Sequence, residues 1–472
     1  MLRFGFVIAM TCLVFSVYAQ SGSYLSKPAQ EQLKALYTYE SVELQELEYD
    51  EAAYLKSYEC FLAYLASEDR SVVDSFMIAC KQLKGNDFLL VNAEIQKAIL
   101  LLLRGDEMSG VYAFYRAHQR FKQLKPEHSP MEYSPMEYKK LQGLFNVIWA
   151  QIPESYQFWS ALLGLQGNET EGFQLLRAYL KDVRNQDAIY VEGLTLYHFL
   201  LLKFSEPSDS DVQLILDEVP RSESPLFYFV GSQVLMKAYK GHKATDLLAG
   251  LSDRQLNAFP LLYYIKGRLC VNQLHEGTVH NFKQFETFYR GVSFKTDAQL
   301  RLTWYYHLNQ QYSKRDSLIA SVNTETKQLT ALDRQAIREF ETVKDAPAQL
   351  LKARLLFDYG DFEQALQILT DQQSGHLNLS YQIEYNYRLA RVQHELKAYG
   401  EALKLYSETI SLAKQDKRYF GPYAAVKAAK IAYFQMADID SAISYLRQAE
   451  ELNNGEYQSA IKRQIRELRS FF

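Results

Sequence analysis

The sequence predicts an all-α protein built from repeated helical hairpins, and three observations carry that reading. Apolar residues recur at three- and four-residue spacing almost throughout the 472 residues, which is the period of one helix face. Only 11 prolines and 21 glycines punctuate the chain, and long alternating runs that would mark strands are hard to find. The stretch 346–472 also writes one pattern three times: "KARLLFDYGDFEQALQIL", "YRLARVQHELKAYGEALKLYSETI" and "AAKIAYFQMADIDSAISYLRQAEEL". Each line is an apolar helical face, a short polar turn, and a second helix that opens on an alanine.

The three units align on Ala365, Ala402 and Ala442, which are 37 and 40 residues apart. The turns before them are Gly360-Asp361-Phe362, Lys397-Ala398-Tyr399 and Ala437-Asp438-Ile439, and a large side chain follows each alanine by four, at Leu369, Tyr406 and Leu446. Short residues recur on the first helix at Ala353 and Ala390. Two helices that pack closely need a small residue at the contact. This pattern resembles the tetratricopeptide repeat, whose consensus places small residues at the crossing and an aromatic in the turn. It departs from that consensus in its length, roughly three to six residues above the basic 34, and at Gln372 and Lys430, where small residues are expected.

Taken in order, residues 1–19 read as a secretory signal peptide. Arg3 gives a positive start, an apolar run follows, and Val17-Tyr18-Ala19 offers a cleavage pattern. A retained anchor is the alternative, although the run is short for a membrane span. Cys12 suggests lipidation, but Thr11 before it is larger than such a signal tolerates. Removing Arg3 lowers the basic count of 52 by one against 56 acidic residues, so the formal charge moves from −4 to −5. That balance excludes a broad basic face for nucleic acid. The mature cysteines Cys60, Cys80 and Cys270 are odd in number, so buried thiols are expected, with a Cys60–Cys80 bridge as the alternative. The 35 tyrosines and 27 phenylalanines are expected mainly to fill gaps between helices.

The periodicity predicts an amphipathic helix over 28–66, broken near Tyr49-Asp50, and a second over 71–84. A hairpin follows, with helices over 88–104 and 109–124, a turn at Gly105-Asp106-Glu107, and Gly110 at the crossing. "SPMEYSPMEY" at 129–138 duplicates five residues and reads as a loop leading into a helix over 137–151. An apolar helix carrying Trp159 runs to Gly164–Gly167, and a new one starts near Thr170. "SEPSDSD" at 205–211 reads as a linker. Hairpins over 224–250 and 258–290 carry Gly231 and Gly267 at their crossings, and helices are expected over 297–321 and 330–342. "EYQSAIKRQIRELRSFF" closes the chain as a solvating cap. The domains so drawn are 1–19, 20–204, 205–344 and 345–472.

The segments "IPESYQFWSALLGLQGN", "EGLTLYHFLL", "SPLFYFVGSQVLMKAYKGHKATDLL" and "AEIQKAILLLL" give a second resemblance. Together they are similar to the tetratricopeptide-repeat-thirty-nine (Iml2-like) family, over about 85–450. That resemblance implies a helical scaffold without known catalytic residues. The family's members are intracellular or on the mitochondrial surface, from which the signal peptide departs.

No catalytic arrangement stands out. There is no Gly-rich phosphate cradle, no Cys-x-x-Cys and no nucleophile elbow. His275, Glu276 and His280 imitate a zinc motif, but five residues turn a helix about 500°, which leaves the two imidazoles about 140° apart. Asn168 and Asn378 match the glycosylation pattern. The best candidate surface is the concave face of the C-terminal repeats, with Arg354, Asp358, Tyr387, Arg388, Arg391, His394 and Lys427. A basic, aromatic groove of this kind takes an acidic or C-terminal peptide through forked arginine contacts. The alternative is a plain solvated face. The basic clamp known from some tetratricopeptide proteins is not reproduced, because only Arg354 and Arg388 fall near its positions, and Ala424 and Ala428 occupy others. The sequence therefore predicts a non-enzymatic scaffold, exported to the periplasm or secreted, that binds a protein or peptide without a cofactor. A bacterial envelope component at the outer-membrane periphery is one alternative. An enzyme with an unrecognised site in 90–300 is another.

Overall fold

A computed structural model describes residues 23–85, 87–124, 135–152, 164–322, 330–340, 342–371 and 377–472. The expected signal peptide, Cys12, most of the duplicated "SPMEY" segment, Trp159 and Gln372 lie outside these residues. Among the described residues there are 24 α-helices and no strand, and no helix is long and apolar enough to cross a membrane.

The N-terminal half holds α1 Lys27–Tyr37, α2 Tyr49–Ser67, α3 Ser71–Gln82, α4 Asp87–Leu103, α5 Glu107–Gln123, α6 Pro135–Trp149, α7 Glu169–Asp182, α8 Asp187–Phe204 and α9 Asp209–Ser222. The middle holds α10 Pro225–Lys237, α11 Gly241–Ala249, α12 Asp253–Ala258, α13 Leu261–Asn272, α14 Gly277–Phe288, α15 Lys295–Leu308, α16 Tyr312–Ser321 and α17 Ala331–Phe340. The C-terminal part holds α18 Ala348–Tyr359, α19 Phe362–Asp371, α20 Leu379–Glu395, α21 Tyr399–Leu412, α22 Phe420–Met436, α23 Ile439–Leu452 and α24 Gln458–Arg469. Most consecutive helices pack as antiparallel pairs.

Seven of these pairs stop their first helix in the same way. Gly105, Tyr239, Leu274, Gln310, Gly360, Lys397 and Ala437 all have positive φ. In six of them the next amide reaches back five residues, as from Lys240 N to the Leu235 carbonyl at 2.8 Å and from Asp361 N to Leu356 at 2.9 Å. This bond satisfies a carbonyl that the helix end leaves orphaned. The expected single helix over 297–321 is therefore two helices, because Gln310 takes the left-handed turn. The break expected near Tyr49-Asp50 is present, the stretch 28–66 forming two helices with 38–48 between them.

The small residues act as the repeat pattern requires. Ala353, Ala390, Ala365, Ala402 and Ala442 are all buried, as are Leu369, Tyr406 and Leu446. A Cβ on Gly110 would stand 2.7 Å from Leu102 Cγ, and one on Gly267 would stand 2.7 Å from the Phe282 ring. Gly231 differs from expectation, because it faces Ile215 and Val219 of the preceding helix α9 and not its own hairpin partner. Asn168 and Asn378 cap α7 and α20, accepting from Glu171 N at 3.1 Å and Tyr381 N at 3.0 Å. Cys60, Cys80 and Cys270 are free thiols. The terminal rings of Phe471 and Phe472 fold back onto Tyr433.

One apolar core runs from Tyr24 to Ala298 and takes in Tyr359. Tyr359 belongs to it because the chain returns on itself. The turn of α18–α19 touches the turn of α10–α11, three hairpins earlier. Gly360 lies against the Tyr239 carbonyl and Gly241 against that of Tyr359. Thr245 Oγ1 meets Tyr359 Oη at 3.0 Å and His242 Nε2 meets Asp361 Oδ1 at 2.7 Å. Helix α18 also packs on α13 and α15, so the first helices α10, α13, α15 and α18 surround a common interior.

Burial has a cost in acid. His198 is fully buried, its Nδ1 donates to the Leu194 carbonyl at 2.8 Å, and burial pushes its pKa down to about 4. The unfolded chain then binds a proton that the native state refuses, so stability falls as pH drops from about 6.5 toward 4. We expect His198→Phe, which keeps the ring against Tyr197 and Phe227, to remove about 2 kcal/mol of the loss between pH 7 and pH 5. Urea midpoints at pH 7 and pH 5 measure it. An unchanged difference between the two pH values would refute the buried neutral imidazole.

Candidate functional site

Counting back six residues from the left-handed turn residue, five consecutive hairpins place Gln233, Arg268, Trp304, Arg354 and Arg391. All five line one interior pocket of about 390 Å³. One helical register thus delivers three guanidiniums to one space, and Arg301 and Lys237 join them. Asp297 and Asp358 are the carboxylates on the same wall.

Some of these charges are already answered. Arg301 Nε donates to Asp297 at 2.5 Å, and the guanidinium holds that carboxyl below its usual range against the effect of burial. Arg354 grips Glu339 with two bonds, at 2.7 and 3.1 Å, and lies 4.7 Å over the Trp304 ring. Arg391 stacks 3.9 Å above Phe357 and reaches Asp358 at 3.8 Å. Others are answered less directly: Arg268 lies 5.6 Å over the Tyr264 ring and helps to hold the Asp297 carboxyl below its usual range. Arg268 Nε and Asn272 Oδ1 have no hydrogen-bond partner among the described residues, and Asn272 is only 2% exposed. Lys237 donates to the carbonyls of Leu202 and Ser205 at 3.1 and 2.7 Å, and neither carries a charge. Five cations face two carboxylates on the wall, and Glu339 behind Arg354 answers one more. The pocket keeps a surplus of positive charge inside an acidic protein.

The seven residues singled out from sequence do not stay together. Arg354, Asp358 and Arg391 line this pocket. Arg388 turns away into a neighbouring cavity, is 5% exposed, and is ion-paired to Glu384 one helical turn earlier. Tyr387 does not line the groove; it is 4% exposed and packs on Tyr406 and Phe420. His394 packs against Tyr399 and Tyr406, and burial, with Lys427 and Lys430 nearby, pushes its pKa down to about 4. Lys427 is partly buried, and burial followed by Arg391 lowers its pKa. Sequence reasoning missed Arg268, Asn272 and Arg301, which lie outside the recognised repeats. For Arg268 the signal was the register counted from Leu274, a turn residue that is not a glycine.

An apolar cleft of about 260 Å³ adjoins the pocket, and Leu202 and Gln233 line both. Its walls come mainly from α2, α4, α6, α8, α10 and α13, with Phe61, Ile95, Leu196, Phe199 and Phe229 among them. At its floor Lys140 lies between two carboxylates, 2.7 Å from Glu137 and 3.1 Å from Glu192. Tyr179 donates to Glu137 at 3.1 Å and Tyr24 to Glu192 at 3.0 Å. Burial opposes the ammonium charge, but the two glutamates override it and hold Lys140 above its usual range, while burial raises Glu137. A protonated, doubly paired lysine has no lone pair to offer as a nucleophile.

Among the described residues, no group of three or more His, Cys, Asp or Glu side chains is placed to hold a metal. His275 Nδ1 accepts from Gly277 N at 3.0 Å instead. No family model matches the chain, and no curated protein matches it in sequence. A solved structure titled "Crystal Structure of the Yeast Tom70" aligns with 89% of this chain and 92% of its own. The identity is 12% and the TM-score 0.25, an overlay too loose to carry an argument.

Proposed function

We propose that this chain is a non-enzymatic, tetratricopeptide-like scaffold that holds a protein or peptide partner through an acidic group placed in its interior basic pocket. The observation that carries the reading is the convergence of Arg268, Arg354 and Arg391 from equivalent positions of successive hairpins, with Arg268 Nε unpartnered. A buried cation surplus is unfavourable until an anion answers it, and forked guanidiniums suit carboxylates. In this reading the chain is exported, with cleavage near Ala19, and the divisions at 205 and 345 mark its structural sections. Placement beside a membrane remains part of the proposal through the envelope-component alternative. The enzyme alternative finds its nearest support in the Lys140 cluster, whose groups are paired with one another.

The test is affinity capture from the native compartment with the mature chain and with an Arg268→Gln, Arg391→Gln variant. These two residues are chosen because removing them orphans no buried carboxylate, whereas Arg354 and Arg388 each answer one, Glu339 and Glu384. A partner held by the wild type and lost by the variant, at equal melting temperature, supports the reading. A partner kept by both places binding elsewhere.

A further inference from the structure

The basic pocket and the apolar cleft meet at Leu202 and Gln233. The cleft exposes apolar surface that a folded chain normally covers, including Phe199 at 36% and Leu103 at 39%. Most of its polar groups are already used, the exceptions among the described residues being the buried Tyr289 hydroxyl and the Lys203 ammonium, which lies 5.6 Å over the Phe199 ring. Gln96 accepts from Ser57 at 3.2 Å, Asn92 donates to the Phe88 carbonyl at 2.9 Å, and Thr195 donates to the Val191 carbonyl at 2.8 Å. Glu192 and Lys140 are paired with each other. A peptide backbone entering the cleft would lose its water and find few partners there. A hydrocarbon tail carries no such groups and gains from every apolar contact. Just past the threshold stand Lys237, whose hydrogen bonds go to two backbone carbonyls, and Arg268, whose Nε is unpartnered among the described residues. Asn272 beside them keeps an unpartnered Oδ1.

We propose that the cleft and the pocket form one site for a single-chain amphiphile with an anionic head, the tail lying along the cleft and the head between Lys237 and Arg268. Such a division, with a mostly apolar lining and a few placed polar groups, is what a small-molecule site requires. A carboxylate and a phosphate monoester offer the same chemistry to a guanidinium and an ammonium. The site belongs to the chain itself and needs no protein partner, so it stands or falls separately from the scaffold reading.

The experiment is displacement of a dansyl-labelled fatty acid from the purified mature chain by dodecanoate, dodecyl phosphate and dodecanol, all below micellar concentration and with no partner present. At least one acid is expected to displace the dye at a concentration about tenfold or more below that of the alcohol. Arg268→Gln is expected to weaken that acid about tenfold and leave dodecanol unchanged. Leu196→Trp, which fills the cleft, is expected to weaken all three. Tighter binding of dodecanoate or of the phosphate names the head group, and either supports the site. The proposal is overturned if dodecanol competes as well as both acids, or if Arg268→Gln at unchanged melting temperature leaves the acids unaffected. It is also overturned if an uncharged leucine- and phenylalanine-rich peptide amide displaces the dye better than either acid.

Discussion

Lys140→Met is expected to lower the unfolding free energy by roughly 3–5 kcal/mol at pH 8, because it strands two buried carboxylates that one cation now answers. Lys140 is 2% exposed, within reach of Glu137 at 2.7 Å and Glu192 at 3.1 Å, and 4.5 Å from the centre of the Tyr24 ring. It ties α6 to α8 and, through Tyr24, to the segment that enters α1. The size of the effect comes from what is left behind. A pair of glutamates in a dry interior cannot both stay ionised, so the folded variant raises their pKa values above those of the unfolded chain. A group raised in the folded state adds stability as pH falls. The deficit is therefore expected to shrink between pH 8 and pH 5, and the double variant with Glu192→Gln is expected to recover part of it. Urea unfolding at the two pH values measures both. A deficit below about 1 kcal/mol, independent of pH, would show that the network contributes little.

Gly360→Val is expected to cost roughly 3–5 kcal/mol, from two sources that act together. The backbone at Gly360 has φ +103, and a Cβ there would stand 2.1 Å from the Tyr239 carbonyl oxygen. The first source destabilises the α18–α19 turn. The second pushes that turn off the α10–α11 turn and opens the closure around the pocket. Gly400→Ala is the control, since a Cβ at Gly400 meets nothing within 4 Å and the residue sits inside α21, where alanine gains up to about 1 kcal/mol. If Gly360→Val unfolds no more easily than Gly400→Ala, the closure between the hairpins is not a load on the fold.

The C-terminal repeats were legible because their constraint is local. A hairpin crossing needs a small residue at a fixed offset from its turn, so Ala365, Ala402 and Ala442 announce it within some 40 residues. The turn at Gln310 was hidden because the left-handed position there, as at Tyr239 and Leu274, carries no glycine; the flanking apolar pattern runs on as if one helix continued. The return of Gly360 onto Tyr239 links residues 121 positions apart, and no periodicity records that. Within the candidate site, the arginines could be found as types but not as charges. Glu384 stands four residues before Arg388 on one helix face, a spacing that foretells the pair. Glu339 reaches Arg354 from another helix, and only the fold shows it.

The central claim is that the interior pocket is an anion site on a binding scaffold. Its most direct test is fluorescence anisotropy of a labelled acidic peptide ending in a free carboxylate, titrated with residues 20–472 and with the Arg268→Gln, Arg391→Gln variant. Binding is expected to weaken with added salt and to fall about tenfold or more in the variant at equal melting temperature. Equal binding by both proteins, or none by the wild type, would contradict it.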